Sequence, residues 1–396
     1  MSTAKRSNSG VARGWAGVIA VVCLGVIAAA WPSPAAACPF CKAIQPTLCQ
    51  LREQAAIAAL AELRSQAGSK PSSLQLHRVL RGAERLGAVE TLEVALDVVA
   101  RPGALLLIFG TGPPEAPPNA LAWHAVVVTE TSYAYFARAP SLKVAAAERL
   151  AYFTPFLEHA DPVIAEDAYF EFGHATFDEV ERAAGSLPLA RMRKWLTDAR
   201  VTPQRKGFYA VALGLARDAR DRRENAQLLR GLILEPDDDF RAGFDGILGG
   251  YLLLTGGEGL ELIETRYLAD PRSADGDVRH ALAALRFAHE YVREIPVERL
   301  HAAVRRLLDR PPFTAAAITD LARLRDWSAR ERISRLYTQR EYSDPAIRRA
   351  IVGYLLASPE PAAREALSRL RAMDPAGVAA AEQFLSRTSD VGPEGR

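Results

Sequence analysis

Two stretches decide how most of this chain is read: "LEHADPVIAEDAYFEF" at 157–172 and "REYSDPAIRRAIVGYLL" at 340–356. Each sets an Asp-Pro pair ahead of an apolar stripe. An aspartate just before a helix can accept from the first free backbone N–H groups, and a proline in the first turn loses nothing, since its missing N–H has no intrahelical partner there. Asp161 and Asp344 therefore predict N-caps, Pro162 and Pro345 first turns, and Ile164 and Ile347 the start of buried stripes. Ala168 and Ala350 predict close approach by a neighbouring helix.

The same helical period continues on both sides. From "KVAAAERLAYFTPFLEHA" at 143–160 to "PAAREALSRLRAM" at 361–373, about a dozen short segments carry apolar residues at i, i+3, i+4 and i+7. Most are bounded by Pro, Asp, Ser or Gly. Short helices in series with no strand between them predict helical hairpins stacked side by side, an α-solenoid over 141–386. Its two related stretches resemble HEAT-type repeats. Residues 387–396, "RTSDVGPEGR", predict a flexible tail.

Upstream the texture differs. "SLQLHRVLRG" (73–82) and "AVETLEVALDVV" (88–99) alternate, and "GALLLIFG" (103–110) is a continuous apolar run between glycines. "LAWHAVVV" (121–128) is a last strand candidate, while "AAIAALAEL" (55–63) suits either a strand or a helix. "TGPPEAPPN" (111–119) predicts a loop, because paired prolines remove backbone donors. Four or five short strands with frequent turns predict a small barrel or sandwich over 38–140. The expected fold class is α+β, mostly α.

Residues 1–37 read as an export signal. Lys5, Arg6 and Arg13 precede the apolar run "WAGVIAVVCLGVIAAAW" (15–31), and Ala35 and Ala37 occupy the positions a signal peptidase reads. The run is short for a membrane span, so no span is expected after cleavage. The whole chain has 49 basic and 47 acidic residues; removing those three bases leaves a balance of −1. Nothing in that charge points to a nucleic-acid partner. Arginines alternate with acids, as in "RLRDWSARERISRL" (323–336), the pattern of solvated, ion-paired helix faces.

A search for chemistry finds no G-x-S-x-G, H-E-x-x-H, Walker or Ca²⁺-loop pattern. "FGTGPPEA" (109–116) follows a strand candidate, but its prolines forbid the free N–H groups a phosphate needs. The seven histidines form no i, i+4 pair; His159 and His174 flank the first Asp-Pro helix, with Asp161 or Glu171 close enough in sequence to join them. Asp237, Asp238 and Asp239 read as an acidic helix start. The aromatics Tyr152, Phe153, Phe156, Tyr169, Phe170 and Phe172 read as the core that joins the first helices to the β part. Gly249 and Gly250 predict close helix contact, Gly256 and Gly257 a helix stop. No catalytic, cofactor-binding or metal residue is assigned, and no cofactor is expected.

That leaves "AAACPFCKAIQPTLCQ" (35–50), which holds three of the four cysteines. Cys38-x-x-Cys41 has the redox spacing, but a thioredoxin-like site needs a strand upstream, and Pro46 interrupts any helix begun at Cys41. Cys38 also stands where a lipid anchor would attach, with Ala35 at the position usually held by leucine. Disulfide, lipid anchor and free thiol stay open for Cys38, Cys41 and Cys49.

The cysteine pair after a signal, followed by "LHRVLRG" and "ALLLIFG", is similar to netrin-like secreted domains, which implies a five-stranded OB-like barrel. In inhibitors of that type the amino-terminal cysteine chelates an enzyme's metal and is tied to a distant cysteine; here no cysteine follows Cys49. The whole mature chain resembles a planctomycete-type family of exported proteins that open with Cys-Pro-Phe-Cys and continue into a DPxIAxDAYxEF helix and a LARxxDWS segment. These appear as Cys38–Cys41, Asp161–Phe172 and Leu321–Ser328. The resemblance carries no activity and transfers no catalytic residue. The expectation is an exported, non-enzymatic binding or scaffolding protein of the periplasm or cell envelope, with an unknown protein partner. The alternatives are a thiol/disulfide redox or metal-binding factor centred on Cys38 and Cys41, and a protease-inhibitor-like head.

Overall fold

The structure is a computed structural model that describes residues 45–66, 71–235 and 241–390. The signal segment, Cys38, Cys41 and Asp237–Asp239 lie outside the described residues. The class is α+β and mostly helical: an antiparallel five-stranded sheet is followed by a long succession of helices.

A short helix α1 (Leu48–Gln54) leads into β1 (Ile57–Ser65), β2 (Ser72–Arg81), a single turn α2 (Ala83–Leu86), β3 (Thr91–Val94), β4 (Leu105–Thr111) and β5 (Ala122–Val128). The strand order is β3-β2-β1-β4-β5, so β1 is central. Successive side chains on a strand point to opposite faces, and on β1 both faces are covered. Ile57, Ala59, Ala61 and Leu63 join Leu106, Ile108, Leu74 and Trp123 in the core of the sheet part. Ala58 and Leu60 turn the other way with Leu107 and Phe109, into the core shared with the helices. Burial on both faces removes the polar half of the alternation, which is why 55–63 reads equally well as a helix.

Local chemistry sets the ends. Gly82 closes β2 at φ 74, and a Cβ there would sit 2.2 Å from the Ala56 carbonyl oxygen, so only glycine fits. β3 covers only part of the 88–99 segment. Beyond it Asp97 turns back, and its Oδ1 accepts from the backbone N–H of Ala125 on β5 at 2.9 Å. The proline-rich connection 111–119 is held by Arg85, which donates to the Ala116 carbonyl, and by the Trp123 indole, which donates to Pro118 O at 2.9 Å. α1 begins after Pro46 on a Thr-x-x-Gln capping box: Thr47 Oγ1 accepts from Gln50 N at 3.1 Å, and Gln50 Oε1 accepts from Thr47 N at 2.9 Å.

From Glu130 every regular element among the described residues is helical. α3 (Glu130–Arg138), α4 (Ala146–Phe153), α5 (Pro162–His174), α6 (Phe177–Ala183), α7 (Leu189–Thr197) and α8 (Pro203–Gly214) come first. α9 (Ala219–Leu234), α10 (Phe244–Thr255), α11 (Gly257–Ile263), α12 (Asp275–Tyr291) and α13 (Val297–Arg306) follow. α14 (Pro311–Arg323), α15 (Arg330–Leu336), α16 (Pro345–Ala357), α17 (Pro361–Met373) and α18 (Pro375–Asp390) complete the series. Both Asp-Pro signals act as read: Asp161 Oδ1 accepts from Val163 N at 3.0 Å, and Asp344 Oδ1 from Ala346 N at 2.7 Å. Ala168 is buried, whereas Ala350 is half-buried beside a surface groove.

Alternate helices are neighbours: α8 packs on α10, α10 on α12, α14 on α16 and α16 on α18. Glycine permits the closest of these approaches. A Cβ at Gly250 would meet the Ala210 carbonyl oxygen at 2.1 Å, and one at Gly246 the Gly207 oxygen at 2.3 Å. Gly256, at φ 55, ends α10 as the sequence suggests. The core that begins at Leu48 and Phe109 runs on without a break to Ala381. Among the described residues no helix is long and apolar enough to cross a membrane.

Candidate functional site

The cysteine segment enters the described structure at the lip of a groove. Gln45 and Pro46, then Leu48 and Leu51 of α1, form one wall. His124 and Val126 of β5 form a second, and Val163, Glu166, Asp167 and Phe170 of α5 a third. The volume is about 410 Å³ and the lining is mostly apolar. Its size falls within the usual range for a small-ligand site.

Asp167 is the buried polar group at this groove. It sits one turn after Ile164 on the stripe that turns inward, and it is 5% exposed. Oδ1 accepts from the Leu48 backbone N–H at 2.7 Å, and Oδ2 from the Tyr135 hydroxyl at 2.7 Å. Burial pushes its pKa up to about 7, against the pull of those two hydrogen bonds; the nearby Glu171 charge adds to the rise. The carboxyl thus ties α1, α3 and α5 together.

Behind it lies Cys49, fully buried and with no disulfide partner among the described residues. Its S–H donates to Pro140 O at 3.7 Å. Burial pushes the thiol pKa far up, and the carboxylates of Glu171 and Asp167 push the same way. Burial of this kind disfavours the thiolate, the form in which a cysteine attacks or binds metal. Glu171, 1% exposed, pairs through Oε2 with Arg149, and its Oε1 has no hydrogen bond among the described residues. This buried pair is a positional lock between α4 and α5, costly to break from one side.

The other residues singled out by the sequence fall apart in space. His159 Nδ1 accepts from Asp161 N at 3.0 Å, and His174 Nε2 donates to Gln45 O at 2.9 Å. They stand at opposite ends of α5, roughly 20 Å apart along a helix of that length. Among the described residues no group of three or more His, Cys, Asp or Glu side chains is arranged to hold a metal ion. The six aromatics do not form one joining core: Tyr152, Phe153 and Phe156 pack around Tyr135 of α3, whose neighbour Phe136 stands edge-on to Phe109 of β4. Tyr169 and Phe172 pack on Phe208 of α8, whereas Phe170 faces the groove.

A second concavity has no counterpart in the sequence reading. The C-terminal ends of α8, α10 and α12 line a polar groove of about 840 Å³, faced by Phe177, Asp178 and Glu181 of α6. Phe177 closes one side by packing at a tilt on Tyr291, ring centroids 4.3 Å apart, and meeting Phe287 edge-on at 5.2 Å. The last carbonyls of a helix lack intrahelical donors. Arg222 supplies them here, donating to Ala216 O at 3.2 Å, Leu253 O at 3.3 Å and Leu254 O at 2.9 Å. Arg217, Arg293, Glu290 and Glu294 stand exposed around the opening. The contact of α6 with α12 spans more than a hundred residues, a separation that no local signal encodes.

No protein-family model matches this chain, and a search of curated proteins finds no similar one.

Proposed function

We propose that the chain is an exported binding or scaffolding protein of the cell envelope, and that its partner docks in the groove at the ends of α8, α10 and α12. In this reading the helical half is an α-solenoid of HEAT-like hairpins. Side-by-side packing of alternate helices supports it, since a solenoid stacks its hairpins in series and leaves one continuous binding surface. The sheet is read as an OB-like barrel: the order β3-β2-β1-β4-β5 leaves β3 and β5 to meet, and Asp97 already bridges from beyond β3 to Ala125.

The observation that carries the proposal is the polar groove itself, where three helix ends converge and exposed charges of both signs stand around an opening of about 840 Å³. Such a rim suits a partner segment with complementary charges, which would set specificity and on-rate more than affinity. Mass spectrometry of the mature amino terminus in fractionated cells tests export: an end at or near Cys38 supports it, and an intact Met1 contradicts it. Affinity capture tests the groove, with the reversals Arg217→Glu and Arg293→Glu compared with Arg364→Glu and Arg369→Glu on α17. Loss of the captured protein with the first pair alone is expected; equal loss, or none, would refute the assignment.

A further inference from the structure

The groove between α1, β5 and α5 is separate from the partner surface just described, and its chemistry points to a different occupant. Its body is apolar: Leu48, Leu51, Val126, Val163 and Phe170. Its charged groups are the carboxyls of Glu166 and Asp167, while the remaining ionisable side chain, His124, is held through Nδ1 by the Asp97 carboxylate. Glu166 is exposed and has no ion-pair partner among the described residues. Asp167 uses one lone pair on each oxygen, for the Leu48 N–H and the Tyr135 hydroxyl, and each oxygen can accept a second hydrogen bond.

We infer that this groove binds a small primary ammonium compound with an apolar body, the ammonium donating to Asp167 and Glu166 and the body lying against Phe170, Val126 and Leu51. An ammonium offers three donors and no acceptor, which matches two carboxyl groups lining an otherwise apolar groove. A carboxylate ligand would meet two like charges, and a neutral alcohol would leave the buried carboxylate uncompensated. The groups that act on Asp167 are the Leu48 N–H of α1, the Tyr135 hydroxyl of α3 and the Glu171 carboxylate of α5; Cys49 of α1 lies beside it, and Glu166 of α5 and His124 of β5 line the same groove. Binding draws the proton from Asp167, so affinity rises with pH across neutrality.

The test is calorimetric titration of the purified mature chain with phenethylamine, 2-phenylethanol and 3-phenylpropionate at pH 8. The amine is expected to bind at least about tenfold more tightly than the alcohol, and the carboxylate more weakly than both. Glu166→Gln, a change at an exposed position, should weaken the amine several-fold and leave the alcohol unchanged. Asp167→Asn should bring the amine to the level of the alcohol and remove the pH dependence between pH 5.5 and 8. Val163→Trp, which fills the groove, should abolish binding of both while the thermal transition persists. Equal affinity for amine and alcohol, no amine binding, or binding untouched by Val163→Trp would each overturn the inference.

Discussion

Asp167 links the fold to pH in a direction opposite to that of most carboxylates. Its pKa is raised from 3.8 to about 7 in the folded chain, chiefly by burial. A raised folded pKa means that the native state holds a proton the unfolded state has released. The associated stability is complete below pH 3.8 and declines as pH rises toward 7. The rise in pKa corresponds to about 4 kcal/mol, at roughly 1.4 kcal/mol for each tenfold change in the proton affinity. Asn at this position still accepts from Leu48 N–H and has no charge to bury. The Asp167→Asn chain should therefore gain stability relative to wild type as pH rises, by about 4 kcal/mol between pH 4 and pH 8. Denaturant unfolding of both chains at half-unit pH steps measures this. A wild-type-minus-variant difference that stays flat with pH, or that favours wild type at high pH, would refute the burial argument.

The remaining predictions concern packing and reactivity. Gly250→Ala would drive a Cβ into the Ala210 carbonyl oxygen, 2.1 Å away, and should cost about 3 kcal/mol in denaturant unfolding. Gly231→Ala, in the interior of α9 with nothing within 4 Å of the new Cβ, should instead stabilise by about 1 kcal/mol. Arg325 holds φ 57 after α14, where its N–H bonds Ala322 O at 3.1 Å and that of Asp326 bonds Leu321 O at 2.9 Å. This is a helix stop that prefers glycine, so Arg325→Gly should raise stability by about 1 kcal/mol. Cys49 should resist iodoacetamide in the native chain and react only at the rate of unfolding, as followed by peptide mass spectrometry; fast native labelling would contradict its burial.

The helix starts were legible because the signals are local: Asp161, Pro162, Asp344 and Pro345 carry their own hydrogen-bond logic within four residues. The strands at 72–81, 105–111 and 122–128 were legible from period and glycine punctuation. The sequence reading contains no α1, although its Thr47-x-x-Gln50 box is a helix-start signature: Pro46 breaks a helix begun upstream and also directly precedes a cap, and the first role hides the second. Asp167 and Glu171 were also available: carboxyls one and two turns after Ile164, on a stripe that otherwise reads Ile164, Ala168 and Phe172, mark buried polar positions. The groove at the ends of α8, α10 and α12 was not available. It depends on Phe177 meeting Tyr291, and on Arg222 reaching carbonyls at 253 and 254, contacts that arise only from the packing of the whole array.

The binding proposal is tested most directly by photo-crosslinking in cells. A photoreactive residue would be placed singly at Glu181, Arg217 and Glu294 around the polar groove, and at Arg364 and Arg369 on α17. The account predicts one and the same crosslinked protein from the three groove positions and none from α17. Adducts of equal yield from both sets, or from α17 alone, would contradict it.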